Sequence, residues 1–154
     1  KVFQGYREPR FRLGLRNDFF FLRNFQFSFF LRADLGHYDK NGMLMHTSQV
    51  DDRRNSYALP YWTPENPTNK VTRLNTVNTP TFTIYESRGF LRLQDISLSY
   101  NLPTKLIEPF KVASCKIYVS SRNLFTFSKW SGWDPESGNT PMPRIFTFGV
   151  DLTL

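Results

Sequence analysis

Apolar and polar side chains alternate along much of this chain. Over residues 25–35 the odd positions are Phe25, Phe27, Phe29, Leu31, Ala33 and Leu35, and the even ones are Gln26, Ser28, Phe30, Arg32 and Asp34. A period of two describes a strand lying between two unlike environments, and a helix would not keep it. The last stretch repeats the pattern, with Phe146, Phe148, Val150, Leu152 and Leu154 against Thr147, Gly149, Asp151 and Thr153. Phe, Val and Thr also favour strands intrinsically. Three more strands are predicted. Phe11, Leu13 and Leu15 alternate with Arg10, Arg12, Gly14 and Arg16. Residues 88–102 alternate from Ile96 to Leu102, but Leu91 and Leu93 fall on the opposite parity, which predicts a bulge near Gln94-Asp95. Residues 115–128 place Ile117, Val119, Phe125 and Phe127 on one parity, interrupted at Ser121 and Asn123.

The connections are unequal in an ordered way. Residues 17–24 form a short link, and 36–87 a long one holding Pro60, Pro64, Pro67 and Pro80. Residues 103–114 are again short, and 129–142 longer. Outer-membrane barrels alternate short periplasmic turns with longer extracellular loops in this manner. A soluble sandwich has no reason to do so. The long connection itself suggests function rather than linkage.

Composition alone leaves three homes open: a nucleic-acid-binding module, a secreted or cytosolic β-sandwich, and part of a membrane β-barrel. Of the 154 residues 40% are hydrophobic, 17% are aromatic, and the net charge is +7. The mean hydropathy of −0.45 is modest, as expected when hydrophobicity is hidden in alternation. The longest apolar run, Phe19-Phe20-Phe21-Leu22, is far short of the roughly 20 residues of a membrane helix. One cysteine, Cys115, excludes an internal disulfide framework and a CxxC site, and reads as a small packing residue near a strand start. The opening Lys1-Val2-Phe3-Gln4 lacks an initiator Met, which favours a fragment or a processed chain. About five strands, each with an apolar face, leave two open edges, whereas closed membrane barrels begin at about eight strands. The chain is therefore expected to need strands from elsewhere.

Several long motifs carry a family resemblance. Tyr61-Trp62-Thr63-Pro64-Glu65-Asn66-Pro67-Thr68-Asn69 resembles the YWTPxNPTN element of SusC/RagA-type TonB-dependent outer-membrane transporters. The stretch from Phe90 to Pro103, FLRLQDISLSYNLP, is similar to another of their elements. Ser121 to Trp130 resembles GRNLFTFTKW, with Ser121 in place of Gly, and leads into Gly132-Trp133-Asp134-Pro135-Glu136. Pro141-Met142-Pro143-Arg144 before a terminal strand is similar to the family's ending, although Leu154 stands where an aromatic is common.

The resemblance implies an all-β fold: an antiparallel transmembrane β-barrel segment, with residues 1–154 supplying about five C-terminal strands of a barrel of roughly 22 strands whose lumen is plugged. It implies residence in the outer membrane and import of oligosaccharides or peptides, as in Bacteroidota. The implied partners are a SusD-like surface lipoprotein acting as a lid, the TonB complex reached through an N-terminal part and plug not in this sequence, the remaining strands, and outer-membrane lipid. The alternatives are a non-transporting barrel fragment or scaffold that binds surface lipoproteins or glycans, and a soluble glycan-binding module.

Individual residues are weighed on this frame. Phe25, Phe27, Phe29, Leu31, Phe146, Phe148, Val150 and Leu152 are expected to face lipid. A nucleic-acid platform would need cations beside the aromatics, but Arg12, Arg16 and Arg32 fall on the opposite face, so no nucleic-acid partner is expected. An inward Arg can pair with Asp34 or with plug carboxylates. The loop aromatics Tyr57, Tyr61, Trp62, Tyr85, Trp130 and Trp133 suit contact with a lid or a substrate, because flat rigid rings bind sugar faces and partner surfaces. The duller role, interfacial girdle and loop packing, competes at each of them. His37 and His46, with Asp34, Asp39, Asp51 and Asp52, are metal-ligand types without metal-ligand spacing. Asp134 and Glu136 offer calcium-type oxygens, but a solvated loop tip is the simpler expectation. Nothing resembles GxSxG, so no enzyme, metal site or cofactor is expected.

Overall fold

A computed structural model of the chain describes residues 3–41, 60–69, 73, 85–138 and 140–154. Five long strands form one antiparallel sheet: β1 (Phe11–Phe21), β2 (Phe25–Leu35), β5 (Phe90–Asn101), β6 (Ser114–Ser128) and β7 (Ile145–Thr153), hydrogen-bonded in that order. Two short strands, β3 (Tyr38–Lys40) and β4 (Tyr85–Ser87), pair separately at the base of the long connection. The segment before β1 backs this hairpin, with the Tyr38 N–H donating to the Tyr6 carbonyl at 2.7 Å. The long strands hold nine to fifteen residues. A tilted strand needs about 9–11 to cross a bilayer. No helix among the described residues is long and apolar enough to span a membrane, which says nothing of strands.

The register carries the alternation across the whole sheet. Phe19, Phe27, Leu98, Val119 and Phe148 form one row, and Leu15, Leu31, Leu93 and Phe125 another. Successive strand residues point to opposite faces, so matched rows build one apolar and one polar face. The apolar face is bare in this chain: Phe148 is 79% exposed and Phe127 67%. All eight residues expected to face lipid share it. Arg12, Arg16 and Arg32 share the polar face, as expected, with Asp34, Ser97, Arg122 and Thr147.

The predicted bulge is present. Leu93 pairs with Phe125 and Asp95 with Arg122, so Gln94 lies opposite both Asn123 and Leu124. On its other side β5 pairs Asp95 with Phe30 and Leu93 with Leu31, leaving Gln94 as the extra residue.

The links differ from expectation in three places. Residues 17–24 are not a connection, because β1 continues through Phe21 and only residues 22–24 turn. Leu22 and Arg23 adopt left-handed φ angles of 48° and 62°, conformations that sequence reading expects of Gly or Asn. The long connection 36–87 begins and ends in the β3–β4 hairpin. The 103–114 link contains a four-residue helix, α1 (Thr104–Ile107), and a 3-10 turn Glu108–Phe110, with Ile107 buried. The short links lie at one end of the sheet and the long ones at the other, as a barrel wall requires.

Candidate functional site

The polar face and the loop after β6 build one connected structure. Arg92 stands on β5 between Leu91 and Leu93, with a side chain only 2% exposed. A buried guanidinium demands partners, and its planar fork can serve two carboxylates at once. It donates from Nη2 to Asp134 Oδ2 at 2.6 Å, from Nη1 to Glu136 Oε2 at 2.8 Å, and from Nε to Thr126 Oγ1 at 3.0 Å. The other oxygen of Glu136 accepts from Arg32 at 2.9 Å, and Arg32 also pairs with Asp34 at 2.7 Å. Both guanidinium groups lie over the Phe90 ring, at 4.9 and 5.6 Å. Arg32 therefore finds the Asp34 partner that the strand pattern offered it.

The loop is shaped to present these carboxylates. Asp134 Oδ1 accepts from the Glu136 and Ser137 N–H groups at 2.8 and 3.1 Å, and the Asp134 carbonyl accepts from Gly138 N–H at 2.7 Å. Gly138 sits at φ +79°, a conformation glycine adopts without a side-chain clash. Asp134 is thus buried rather than part of a solvated loop tip, and Glu136, still about one-third exposed, is tied to the sheet beside it, both by Arg92, 42 and 44 residues away. A tip was the natural expectation for Asp-Pro-Glu between glycines, since the strand cations that bind it are invisible locally.

The β3–β4 hairpin grips the same loop from its other side. Arg88 donates to Asp39 Oδ2 at 2.6 Å, to the Pro135 carbonyl at 2.6 Å and to the Glu136 carbonyl at 2.7 Å. It also lies 5.3 Å from the Trp130 ring centre. Glu86 accepts from Asn41 Nδ2 and from the Ser131 hydroxyl, each at 2.7 Å. Asp39 is shifted below its ordinary value of 3.8: burial opposes the shift, but the Lys40 N–H and the Arg88 guanidinium outweigh it. His37 is pushed below 6.5 by burial and then by the Arg88 charge. Its Nδ1 is buried without a hydrogen-bond partner among the described residues.

Further along the polar face, Asp18, Ser28, Ser97, Ser120 and Thr147 form one row. The Ser28 and Ser97 hydroxyls are 2.6 Å apart, and Arg122 pairs with Asp95 at 3.1 Å. Ser28, Ser97, Ser120 and Thr147, with Asp95 and Arg122, line a groove of about 450 Å³.

The structure distributes the loop aromatics. Trp130 and Trp133 come together around a hollow of about 260 Å³ with Asn123, Met142 and Arg144, and Trp133 is 59% exposed. Tyr61 and Trp62 lead into a separate tight turn, where Asn66 N–H donates to the Thr63 hydroxyl at 3.0 Å and Asn66 Nδ2 to the Tyr61 carbonyl at 3.3 Å. Both rings are exposed, as is Tyr85 at the start of β4. Tyr57, His46, Asp51 and Asp52 lie outside the described residues. Among the described residues no three His, Cys, Asp or Glu side chains converge on a metal position. The clamp residues Asn41, Glu86, Arg88 and Arg92 were not singled out by sequence reasoning. The one signal was a cation on the polar parity of a predicted strand, and it gave no hint of a partner.

Comparison with known proteins places this architecture. No family model matches the chain. TonB-dependent receptor P3 of Formosa agariphila is 26% identical, over 96% of this chain and 17% of that protein. TonB-dependent receptor P26 of the same organism is 27% identical, over 99% and 18%. TonB-dependent receptor SusC of Bacteroides thetaiotaomicron is 27% identical, over 86% and 14%. Among solved structures, the RagAB peptide importer in an open-open state matches 86% of the chain and 16% of its own, with a TM-score of 0.64 and 24% identity. The RagAB peptide transporter matches 84% and 16%, with a TM-score of 0.67. The chain spans less than a fifth of the length of each relative.

Proposed function

We propose that the chain, which is similar to TonB-dependent receptors including SusC, is one part of the barrel wall of such an outer-membrane transporter. The reading is carried by one observation: a continuous apolar face across five matched strands, backed by a continuous polar face. In a membrane such a sheet turns its apolar side to lipid and its polar side to the lumen, and its open edges must pair with further strands. Phe25, Phe27, Phe29, Leu31, Phe146, Phe148, Val150 and Leu152 then contact lipid. The alternation of short turns and long loops supports a barrel wall, and on this reading the strands are the C-terminal ones of a barrel of roughly 22 strands. A plug and a TonB-contacting segment belong, on this reading, to the rest of the polypeptide.

The function so inferred is nutrient uptake, of oligosaccharides or peptides, with a SusD-like lipoprotein closing the extracellular mouth. Tyr57, Tyr61, Trp62, Tyr85, Trp130 and Trp133 are proposed contacts for that lid or for the solute. The reading assigns no catalysis to this part of the wall, and among the described residues the carboxylates of Asp34, Asp39, Asp134 and Glu136 are engaged by arginines.

The test uses outer membranes from the native source. They are separated on a denaturing gel with and without boiling and probed with an antibody to residues 129–142. A large band whose mobility shifts on boiling is the expected result. A band near 18 kDa without a heat shift, in the soluble fraction, would overturn the reading in favour of a scaffold or binding module.

A further inference from the structure

We infer that loop 129–138 is a fixed shelf across the polar face, held by Arg92, and that it bounds the size of solute able to pass along this side of the pore. The inference rests on the transport reading and goes beyond it.

The observation is the direction the loop takes. It leaves β6 yet does not stand above the strands. Glu136 reaches Arg32 on β2, two strands away from β6. At the usual strand spacing β2 lies about 10 Å from β6, a gap the loop and the two long side chains close together. The other partner of Glu136, Arg92, is rooted two residues inside β5, about 7 Å below the strand end.

Most extracellular loops are tied down only at their ends and move. This one is fixed at its middle from two sides, by Arg92 and Arg32 below and by Arg88 above. The Arg92–Asp134 pair at its centre is dry, with side chains 2% and 6% exposed, and cannot separate without leaving a buried charge unpaired, while the contacts of Glu136 with Arg32 and Arg88 lie nearer solvent. A shelf held this way keeps its height during transport, whereas a lid would have to release it. Arg92 acts here as a positioning residue, touching the loop rather than the solute.

The test uses the complete transporter in intact cells, with Cys115→Ser and a single reporter, Ser120→Cys, in the groove beyond the shelf. A small maleimide and a bulky polymer-linked maleimide are applied from outside. The parent is expected to react with the small reagent and to exclude the large one. Glu136→Gln, which keeps the Arg92–Asp134 pair, is expected to admit the large reagent several-fold faster, and Asp134→Asn more strongly still. Heat-shifted mobility shows that each variant remains a barrel. Entry of the large reagent into the parent would overturn the inference. So would exclusion of the large reagent from every variant, or exclusion of the small one throughout, because something other than this loop would then set access. Loss of the heat shift in the parent itself would overturn the transport reading, and the shelf with it.

Discussion

At the scale of single residues, the position that most constrains this structure is Arg92. Its side chain and that of Asp134 are both almost fully buried, at 2% and 6% exposure. Replacing Arg92 by Ala removes the cation and leaves Asp134 dry and charged. Breaking a buried pair in this way costs about 3–5 kcal/mol. The complete barrel carrying Arg92→Ala should therefore lose its heat-shifted form at clearly lower guanidinium concentration than the parent. An unchanged midpoint would mean that water reaches Asp134 and that the clamp is weak. This arginine shows why part of the site escapes a sequence. Its strand parity is readable, but its partners lie 42 and 44 residues on. The turn at Leu22-Arg23 escapes for another reason: left-handed backbone was expected of Gly or Asn, and the chain uses neither. Gly149 hides a third fact. A side chain there would fall on the Tyr118 ring, its neighbour across the β6–β7 ladder, so the glycine makes room for that ring.

At the scale of elements, legibility follows parity. β2 and β7 were readable almost residue by residue, because neither carries an internal irregularity. In β5 the single extra residue Gln94 switches the apolar positions from odd to even, and that switch was visible as a predicted bulge. In β6 two residues, Asn123 and Leu124, lie opposite Gln94, which leaves the parity odd, so only a gap in the apolar run marked the irregularity. Parity also makes a prediction. Removing Gln94 leaves Leu93, Asp95 and Ile96 in regular alternation and in register with β2. Removing Ser97 instead would turn one side of β5 over, placing Leu98 and Tyr100 on the polar face, since a one-residue slip inverts every side chain beyond it. Deletion of Gln94 should still yield heat-modifiable barrel in the outer membrane, and deletion of Ser97 should not. Equal failure of both would show that the bulge itself, rather than the alternation, is required for assembly.

At the scale of the whole molecule, the two faces of the sheet decide what it can be. In water the apolar face would be a broad exposed patch and an aggregation hazard. In a bilayer it is the surface that lipid requires, and the charges, hydroxyls and clamped loop fall on the other side. The row through Phe19, Phe27, Leu98, Val119 and Phe148 tests this assignment because its neighbour on β7, Thr147, points the opposite way. An arginine on the lipid face costs about 2–4 kcal/mol toward the bilayer midplane and less near the interfaces, whereas on the lumen face it remains among polar groups. Phe148→Arg in the complete transporter should therefore sharply reduce the heat-modifiable fraction in the outer membrane. Thr147→Arg, one residue away and beside Ser120, should leave that fraction close to the parent. The two substitutions add the same side chain to the same strand and change the net charge equally, so the face they sit on is the main difference between them. If Thr147→Arg were the more damaging of the two, lipid would lie on the polar side, and both the barrel orientation and the placing of the loop shelf in the lumen would be wrong.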